Sequence, residues 1–299
     1  MSGPEADADL FEGHRRRLFG IAYGIVGQVM EAEDVVQDAW LRWAGVDRQR
    51  VENPAALLTT ITTRLAIDRL RSARHRRESY VGPWLPEPIV PGADPGDIVA
   101  DAERLSMAFL AALERLDPVQ RAVLVLRDVF DVDYSEIATV VDRTVDNCRQ
   151  IASRARARVG DADRARQTDP ERERELLAAF VAAVAGGDLE ALTAVMAADV
   201  TLWSDGGDRA RAARHPILGR DRVCRFLLGI RSGVQPGDRM AFTTANGDRA
   251  LYLQRAGRPF SLLTFQIDDG EVIGIRVVMN PDKLAHLGPV EAPIVIELR

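Results

Sequence analysis

The chain has 299 residues, 46% hydrophobic and 28% charged, a balance that supports buried cores and excludes a disordered polymer. Its formal charge of −6 argues against a uniformly cationic coat, so any polyanion-binding surface has to be a local cluster. Its two cysteines, with no CxxC and no Cys/His cluster, indicate neither a disulfide framework nor a zinc site, and no cofactor or metal is expected. No leader and no apolar run of membrane-spanning length is visible, so no membrane partner is expected and a reducing cytoplasm is the default location. Of 39 basic residues only Lys283 is lysine; the rest are guanidiniums, suited to bidentate contacts with phosphate or guanine.

In chain order, Leu10, Phe11, Leu18, Ile21, Ala22 and Ile25 recur at helical spacing, and Gly27 offers a stop. A second helix sets Ala32, Val35, Val36, Ala39, Trp40 and Trp43 on one stripe, leaving Asp34, Gln37, Asp38 and Arg42 on the other. Asn53-Pro54 is a cap and first-turn pair for a third helix. That helix carries an apolar face of Leu57, Leu58, Ile61 and Leu65 and a basic edge that grows toward its end. "GPWLPEPIVPG" follows, a segment whose prolines cannot continue a helix yet whose Trp, Leu and Ile are unsuited to a plain tether.

Beyond it, Ile98, Ala102, Leu105, Phe109, Ala112 and Leu116 predict another amphipathic helix, Asp117-Pro118 restarts the chain, and "RAVLVLRDVF" reads as the buried helix of a second bundle. A short helix with Ile137, Ala138 and Val141, the turn "DRT" with Thr144 as N-cap, and a helix burying Cys148, Ile151, Ala152, Ala155 and Val159 have helix-turn-helix spacing. The polar stretch from Asp161 to Arg174 reads as a linker. Two helices follow, with Leu177, Phe180, Val181 and Val184 in the first and Leu189, Leu192, Val195 and Met196 in the second. Next come the strand "VTLWS", a "DGGD" turn, a helix around Val223, Phe226, Leu227 and Ile230, and four strands with Asp269-Gly270 as a hairpin turn. The expected fold is multidomain: two all-α bundles, then an α+β domain with helices on one face of a curved antiparallel sheet.

The stretches "AEDVVQDAWLRW", "NPAALLTTITTRLAIDRLRSARHRR" and "LDPVQRAVLVLRDVFDVDYSEIATVVDRTVDNCRQIASRARARV" resemble regions two and four of extracytoplasmic-function (ECF) RNA polymerase sigma factors over the first half of the chain. The resemblance implies that Asp34, Gln37 and Asp38 dock on the clamp helices of the polymerase beta-prime subunit, with the beta subunit as a further partner. It implies that Arg64, Arg69, Arg71, Arg74, Arg76 and Arg77 engage the melted minus-ten element of promoter DNA, where unpaired bases are splayed out and phosphates held. The family commonly has a tryptophan near the position of Leu57 and an asparagine near that of Arg64, and this chain departs from both. Arg143, Thr144, Asn147, Arg149, Gln150, Ser153 and Arg154 would serve the minus-thirty-five element, with the helix in the major groove. Cys148 falls on the apolar stripe and reads as core.

"YVGPWLPEP", "SDGGD" and "NPDKL", in that order, look like signatures of the ECF sigma factors that carry a fused SnoaL-like domain, a cone-shaped α+β fold. In that subgroup the linker and terminal motif are associated with control of sigma activity. This implies that Trp84, Leu85 and Pro86 pack near Asn280, Pro281, Asp282 and Lys283, with Asp205, Gly206 and Gly207 in the same system. The subgroup's third glycine and lysine are replaced here by Asp208 and Arg209. The expected organisation is region two at 1–78, linker at 79–97, region four at 98–160, linker at 161–170, SnoaL-like domain at 171–285 and tail at 286–299.

No separate anti-sigma protein is then required, and a small-ligand pocket without chemistry is expected in the cone, although the sequence names no ligand. Asp199, Asp205 and His215, beside Trp203 and Arg220, are the groups available for acid/base work, but no spacing among them specifies a reaction, and no enzyme is expected. The alternatives are a helix-turn-helix regulator with a ligand-sensing domain, and a cyclase-type enzyme with accessory DNA-binding domains.

Overall fold

The computed structural model describes residues 4–77, 79–91, 104–160, 169–288 and 294–295, and for residues 4–6, 48, 74–77, 232 and 294–295 the backbone alone. The chain divides into two compact units, Met1–Ser79 with Gly96–Asp163, and Tyr80–Pro95 with Arg164–Arg299. The proline-rich segment thus clusters with the C-terminal half of the chain.

In the first unit, α1 (Pro4–Val26) buries Phe11, Leu18, Ile21, Ala22 and Ile25. It ends at Gly27, whose φ of 74° suits glycine and whose N–H donates to the Tyr23 carbonyl at 2.7 Å. Helix α2 (Val29–Ala44) buries the expected stripe, and half-buried Trp40 meets Phe11 edge-on with centroids 5.1 Å apart. Asn53 caps α3 (Pro54–Arg77), its Oδ1 accepting the Ala56 N–H at 3.1 Å. The buried face of α3 differs from expectation. Leu57, Ile61 and Leu65 are half-buried, whereas Leu58, Thr62, Thr63, Ala66, Ile67 and Leu70 are buried. A helix covered from more than one side buries more than one stripe, and small threonines are tolerated where neighbours come close.

The second bundle begins with α4 (Met107–Leu113), capped by the Ser106 hydroxyl, which accepts the Phe109 N–H at 3.0 Å. This helix is shorter than the predicted one. Ile98 and Ala102 lie outside the described residues, while Leu105 and Leu116 flank the helix and are buried. Helix α5 (Pro118–Leu124) starts with a reciprocal capping box between Asp117 and Gln120 and runs into a π turn at Val125–Val129. Then come α6 (Tyr134–Val141), left-handed Asp142 at φ 54°, and α7 (Val145–Val159), capped by Thr144 and burying Cys148, Ala152, Ala155 and Val159.

The two bundles pack together within this unit. A Cβ on Gly24 would lie 2.9 Å from Val125 Cγ1. The Arg121 guanidinium, 1% exposed, donates through Nε to the Gly24 carbonyl at 3.0 Å and pairs with Glu114.

The second unit carries α8 (Pro170–Gly186), α9 (Leu189–Ala194), β1 (Met196–Asp205), β2 (Ile217–Leu218), α10 (Arg220–Ile230), β3 (Arg239–Ala245), β4 (Asp248–Arg255), β5 (Arg258–Asp268), β6 (Glu271–Val278), α11 (Pro281–Leu284) and β7 (Ile294–Val295). Residues 170–174, read from the sequence as linker, form the first turns of α8 behind an Asp169 cap, and Met196 opens β1 instead of closing a helix. The sheet order is β2-β1-β6-β5-β4-β3-β7. Its β3–β6 meander is antiparallel as expected, but β1 pairs parallel to β6, so the sheet is mixed. Asp269 and Gly270, both at positive φ, make the expected tight hairpin. One sheet face and the helices enclose a core that includes Phe180, Leu202, Leu227, Phe265 and Ile275, the cone-shaped α+β architecture of a SnoaL-like domain.

Candidate functional site

Proline supplies no N–H, so a segment with prolines at 83, 86, 88 and 91 can be buried in extended form with few donors to satisfy. Leu85, Pro86, Glu87 and Pro88 are buried. Backbone groups of Leu85, Pro88 and Ile89 find partners on the C-terminal domain. The Leu85 N–H donates to Asp205 Oδ2 at 2.7 Å, and Ile89 and Asn246 exchange two bonds, N–H to Oδ1 at 2.9 Å and carbonyl to N–H at 3.0 Å. His286 Nε2 lies 2.8 Å from the Pro88 carbonyl.

At the head of this strap sits the chain's one lysine. Lys283, 3% exposed, places Nζ 2.7 Å from Asp205 Oδ2, and Asp205 is fully buried. The ammonium also donates to the Leu85 carbonyl and lies 3.9 Å from the Trp84 ring centroid and 5.0 Å from that of Tyr80. Desolvating two ions is costly, and the cost is offset only when their remaining hydrogen-bonding capacity is filled. Here it is filled: Asp205 accepts from the Tyr80 hydroxyl at 2.5 Å, the Leu85 N–H and the Gly207 N–H at 3.1 Å, while its own carbonyl accepts the Met279 and Asn280 N–H groups at 2.7 and 2.9 Å. Two aromatic faces complete the ammonium's surroundings.

Burial, reinforced by the hydrogen bond to Asp205, raises the Tyr80 pKa well above the ordinary phenol value, so the hydroxyl remains a donor. That hydroxyl in turn accepts from Asn280 Nδ2 at 2.9 Å. Asn280 also caps α11, accepting the Asp282 N–H at 3.1 Å, so Pro281 takes the first-turn position and Lys283 is aimed back at Asp205. The two glycines after Asp205 are steric requirements. A Cβ on Gly206 would sit 2.3 Å from the Ala210 carbonyl oxygen, and Gly207, at φ 55°, would bring one within 2.8 Å of Asn280 Nδ2. Asp282 is peripheral, exposed and 3.8 Å from exposed Arg209, a pairing of little energetic weight.

In the N-terminal unit, Asp34, Gln37 and Asp38 are exposed on α2. Arg69 is engaged, bridging Glu31 and Asp34 at 2.6 Å each. Arg64 is engaged too: Nε and Nη2 donate to the Val140 and Thr139 carbonyls of α6 at 3.0 and 2.9 Å. Arg71 pairs with neighbouring Asp68, and the side chains of Arg74, Arg76 and Arg77 lie outside the described residues. On α7 and its turn, Arg143, Arg149, Gln150, Ser153 and Arg154 are exposed and Asn147 is half-buried, while Thr144 caps the helix by accepting the Asn147 N–H at 3.2 Å. Arg149 is steadied by Asp146 at 2.9 Å and by the Tyr134 ring.

Residues 10–76 match the family model for sigma-70 region 2, and residues 106–159 that for sigma-70 region 4. The ECF RNA polymerase sigma factor SigJ of Mycobacterium tuberculosis is 38% identical over 287 residues, covering 91% of each chain. The probable ECF sigma factor SigI of the same species is 30% identical over 292 residues, covering 96% of this chain and 98% of SigI. The crystal structure of M. tuberculosis SigJ superposes with a TM-score of 0.74 at 34% identity, covering 95% of this chain and all of that one. The chain belongs to the ECF RNA polymerase sigma factors.

This sigma factor therefore binds core RNA polymerase and directs it to promoter DNA. Among the residues around the Asp205–Lys283 pair and along the strap, sequence reasoning found Trp84, Leu85, Asp205, Asn280 and Lys283, which the structure brings together, but missed Tyr80, Asn246 and His286. Tyr80 opens the quoted "YVGPWLPEP" and was legible as part of that motif; for Asn246 and His286 no sequence signal was available. Of the groups considered for acid/base chemistry, Asp205 is engaged by Lys283 and Tyr80, Asp199 and His215 are exposed, Arg220 donates to the Met196 carbonyl at 3.3 Å, and Trp203 lies 4.8 Å beneath the Arg276 guanidinium. Among the described residues no group of three or more His, Cys, Asp or Glu side chains could hold a metal ion, and no helix is long and apolar enough to cross a membrane.

Proposed function

We propose that this sigma factor carries its own regulator: the SnoaL-like domain holds the linker between regions two and four, and the Asp205–Lys283 latch sets whether that linker is held or free. The observation that carries the reading is the burial of the chain's only lysine against Asp205, Trp84, Tyr80 and the Leu85 backbone. The covalent path from region two to region four runs through this strap, so its release lengthens the free tether available to the two DNA-binding regions.

Asp34, Gln37 and Asp38 are proposed to meet the beta-prime clamp, with the beta subunit as a further contact, and their exposure supports this. The α3 arginines Arg64, Arg69, Arg71, Arg74, Arg76 and Arg77 are assigned to the minus-ten element. For Arg64 and Arg69 that role requires leaving the carbonyl and carboxylate partners they have here. The α7 residues Arg143, Asn147, Arg149, Gln150, Ser153 and Arg154 are assigned to the minus-thirty-five element, with Thr144 fixing the start of the helix. Control from within the chain leaves no need for a separate anti-sigma protein. The C-terminal domain acts by binding, not catalysis; the exposure of Asp199 and His215 and the engagement of Asp205 by Lys283 and Tyr80 support that reading.

The test is run-off transcription with purified core polymerase, comparing the wild type with Lys283→Met and with Trp84→Ser/Leu85→Ser. An altered initiation rate with unchanged core affinity is expected. Equal rates for all three proteins would remove the regulatory role.

A further inference from the structure

The cone of the SnoaL-like domain encloses a cavity of about 630 Å³ that the latch does not use, within the range of small-molecule sites. Its wall is built from apolar side chains such as Phe180, Phe226, Leu251, Phe260, Leu263 and Met279, with Arg211 and Arg231 the charged residues among those lining it. Among the described residues no Asp, Glu, His, Lys or Tyr lines it, so these residues offer a cation at its rim without an acid/base pair inside. Arg255, stacked on Phe260, is already paired with Asp238 at 2.7 Å. Arg211 and Arg231 have no carboxylate partner among the described residues; Arg231 uses one nitrogen on the Ala185 carbonyl at 3.0 Å, and Arg211 is exposed.

A large apolar body with one anionic end answers both features. We infer that this cavity is a receptor site for an apolar carboxylic acid, its chain in the cone and its carboxylate on Arg211 at the rim. A guanidinium suits a carboxylate because its fork matches the two oxygens.

The wall of the cavity is also the wall of the latch. Ala212 and Ala213 line the cavity, yet the Ala213 carbonyl borders Gly82 and the Ala212 side chain borders Gly206. Met279 lines it as well, and its N–H donates to the Asp205 carbonyl. An occupant that shifts these three residues therefore acts on both ends of the latch. This coupling rests on the regulatory reading above; the ligand site itself does not.

Titration calorimetry of the full-length protein with decanoic acid and with 1-decanol tests the site. The acid is expected to bind more tightly than the alcohol. Arg211→Gln should weaken the acid about tenfold, as loss of a charged hydrogen-bonding partner does, and leave the alcohol unchanged. Leu263→Trp should abolish binding of both, its fold being checked by circular dichroism and by core-dependent transcription; Leu253→Phe is the milder filling variant. No binding of the acid, equal binding of acid and alcohol, or binding untouched by both filling variants would each overturn the site. Coupling is read separately, as the rate at which an amine-reactive reagent labels Lys283 with and without decanoic acid. A severalfold change is expected. Binding with an unchanged rate would overturn the link to the latch, while altered labelling with unchanged transcription would leave the ligand site standing and defeat the regulatory reading.

Discussion

Lys283 is the position where this chain departs from its own habit, since every other basic residue is an arginine or is found elsewhere as histidine. A compact ammonium fits between two aromatic rings and one carboxylate; a planar guanidinium with five donors does not. Lys283→Arg should therefore fail to restore the latch despite preserving charge. Lys283→Met leaves Asp205 buried without its counter-ion, a loss of about 3–5 kcal/mol for such pairs, and the three donors remaining on Asp205 place it at the low end. Adding Asp205→Asn to Lys283→Met should recover part of that loss, because removing both charges costs less than stranding one. Denaturant unfolding gives the global part of this cycle, and hydrogen exchange at the Leu85 amide gives the local part. The two cysteines supply an independent check on burial. Desolvation raises the thiol pKa of Cys148 and of Cys224, so at neutral pH the thiolate fraction of each lies below that of free cysteine. A disulfide reagent should react with neither until denaturant is added, and prompt reaction would show that α7 or α10 is looser than its packing indicates.

Among the elements, the contact of α1 with the turn after α5 depends on a missing side chain. Gly24→Leu must displace Val125 and Leu105, and overpacking of this kind costs about 1–3 kcal/mol. The expected result is a lower denaturant midpoint with the slope retained; an unchanged midpoint would mean that the two bundles pack only loosely. The same contact marks how far the sequence could be read. Helices α1, α2, α6 and α7 and the start of α3 were legible because caps and stripes are local: Gly27, Asn53 and Thr144 occupy the positions that their chemistry suggests. The buried threonines of α3 were not legible, since a polar residue at 62 or 63 becomes core only when neighbouring helices close over it. The partner of β1 was equally hidden. "VTLWS" reads as a strand, but nothing in its period says that it runs parallel to β6, more than sixty residues later. For the latch, the quoted motifs were legible from resemblance, whereas the ion pair joining two of them is a distance in space: Asp205 and Lys283 are 78 positions apart.

At the scale of the molecule, the segment from Tyr80 to Pro95 is continuous with the N-terminal unit in sequence yet belongs to the C-terminal one in packing. A chain that ends at residue 163 keeps this segment but loses Asp205, Asn246, Lys283 and His286, the groups that satisfy its backbone and cover its apolar side chains. Such a fragment should bind an apolar fluorescent dye and be cleaved within 80–91, whereas the intact protein is protected there. Supplying residues 169–299 as a separate chain should reverse both effects, because the strap brings its own recognition elements: the Trp84 ring, the Leu85 amide and carbonyl, and the two bonds at Ile89. Trp84→Ser/Leu85→Ser in the first fragment removes the aromatic face over the ammonium and the buried side chain beside it, so capture by the second fragment should be lost while each fragment keeps its own far-ultraviolet dichroism. Capture that survives this double substitution would mean that the strap does not hold the fragments together. Lys283 would then be the anchor of a local turn, and the path from the C-terminal domain to the polymerase-binding regions would have to run through some other part of the chain.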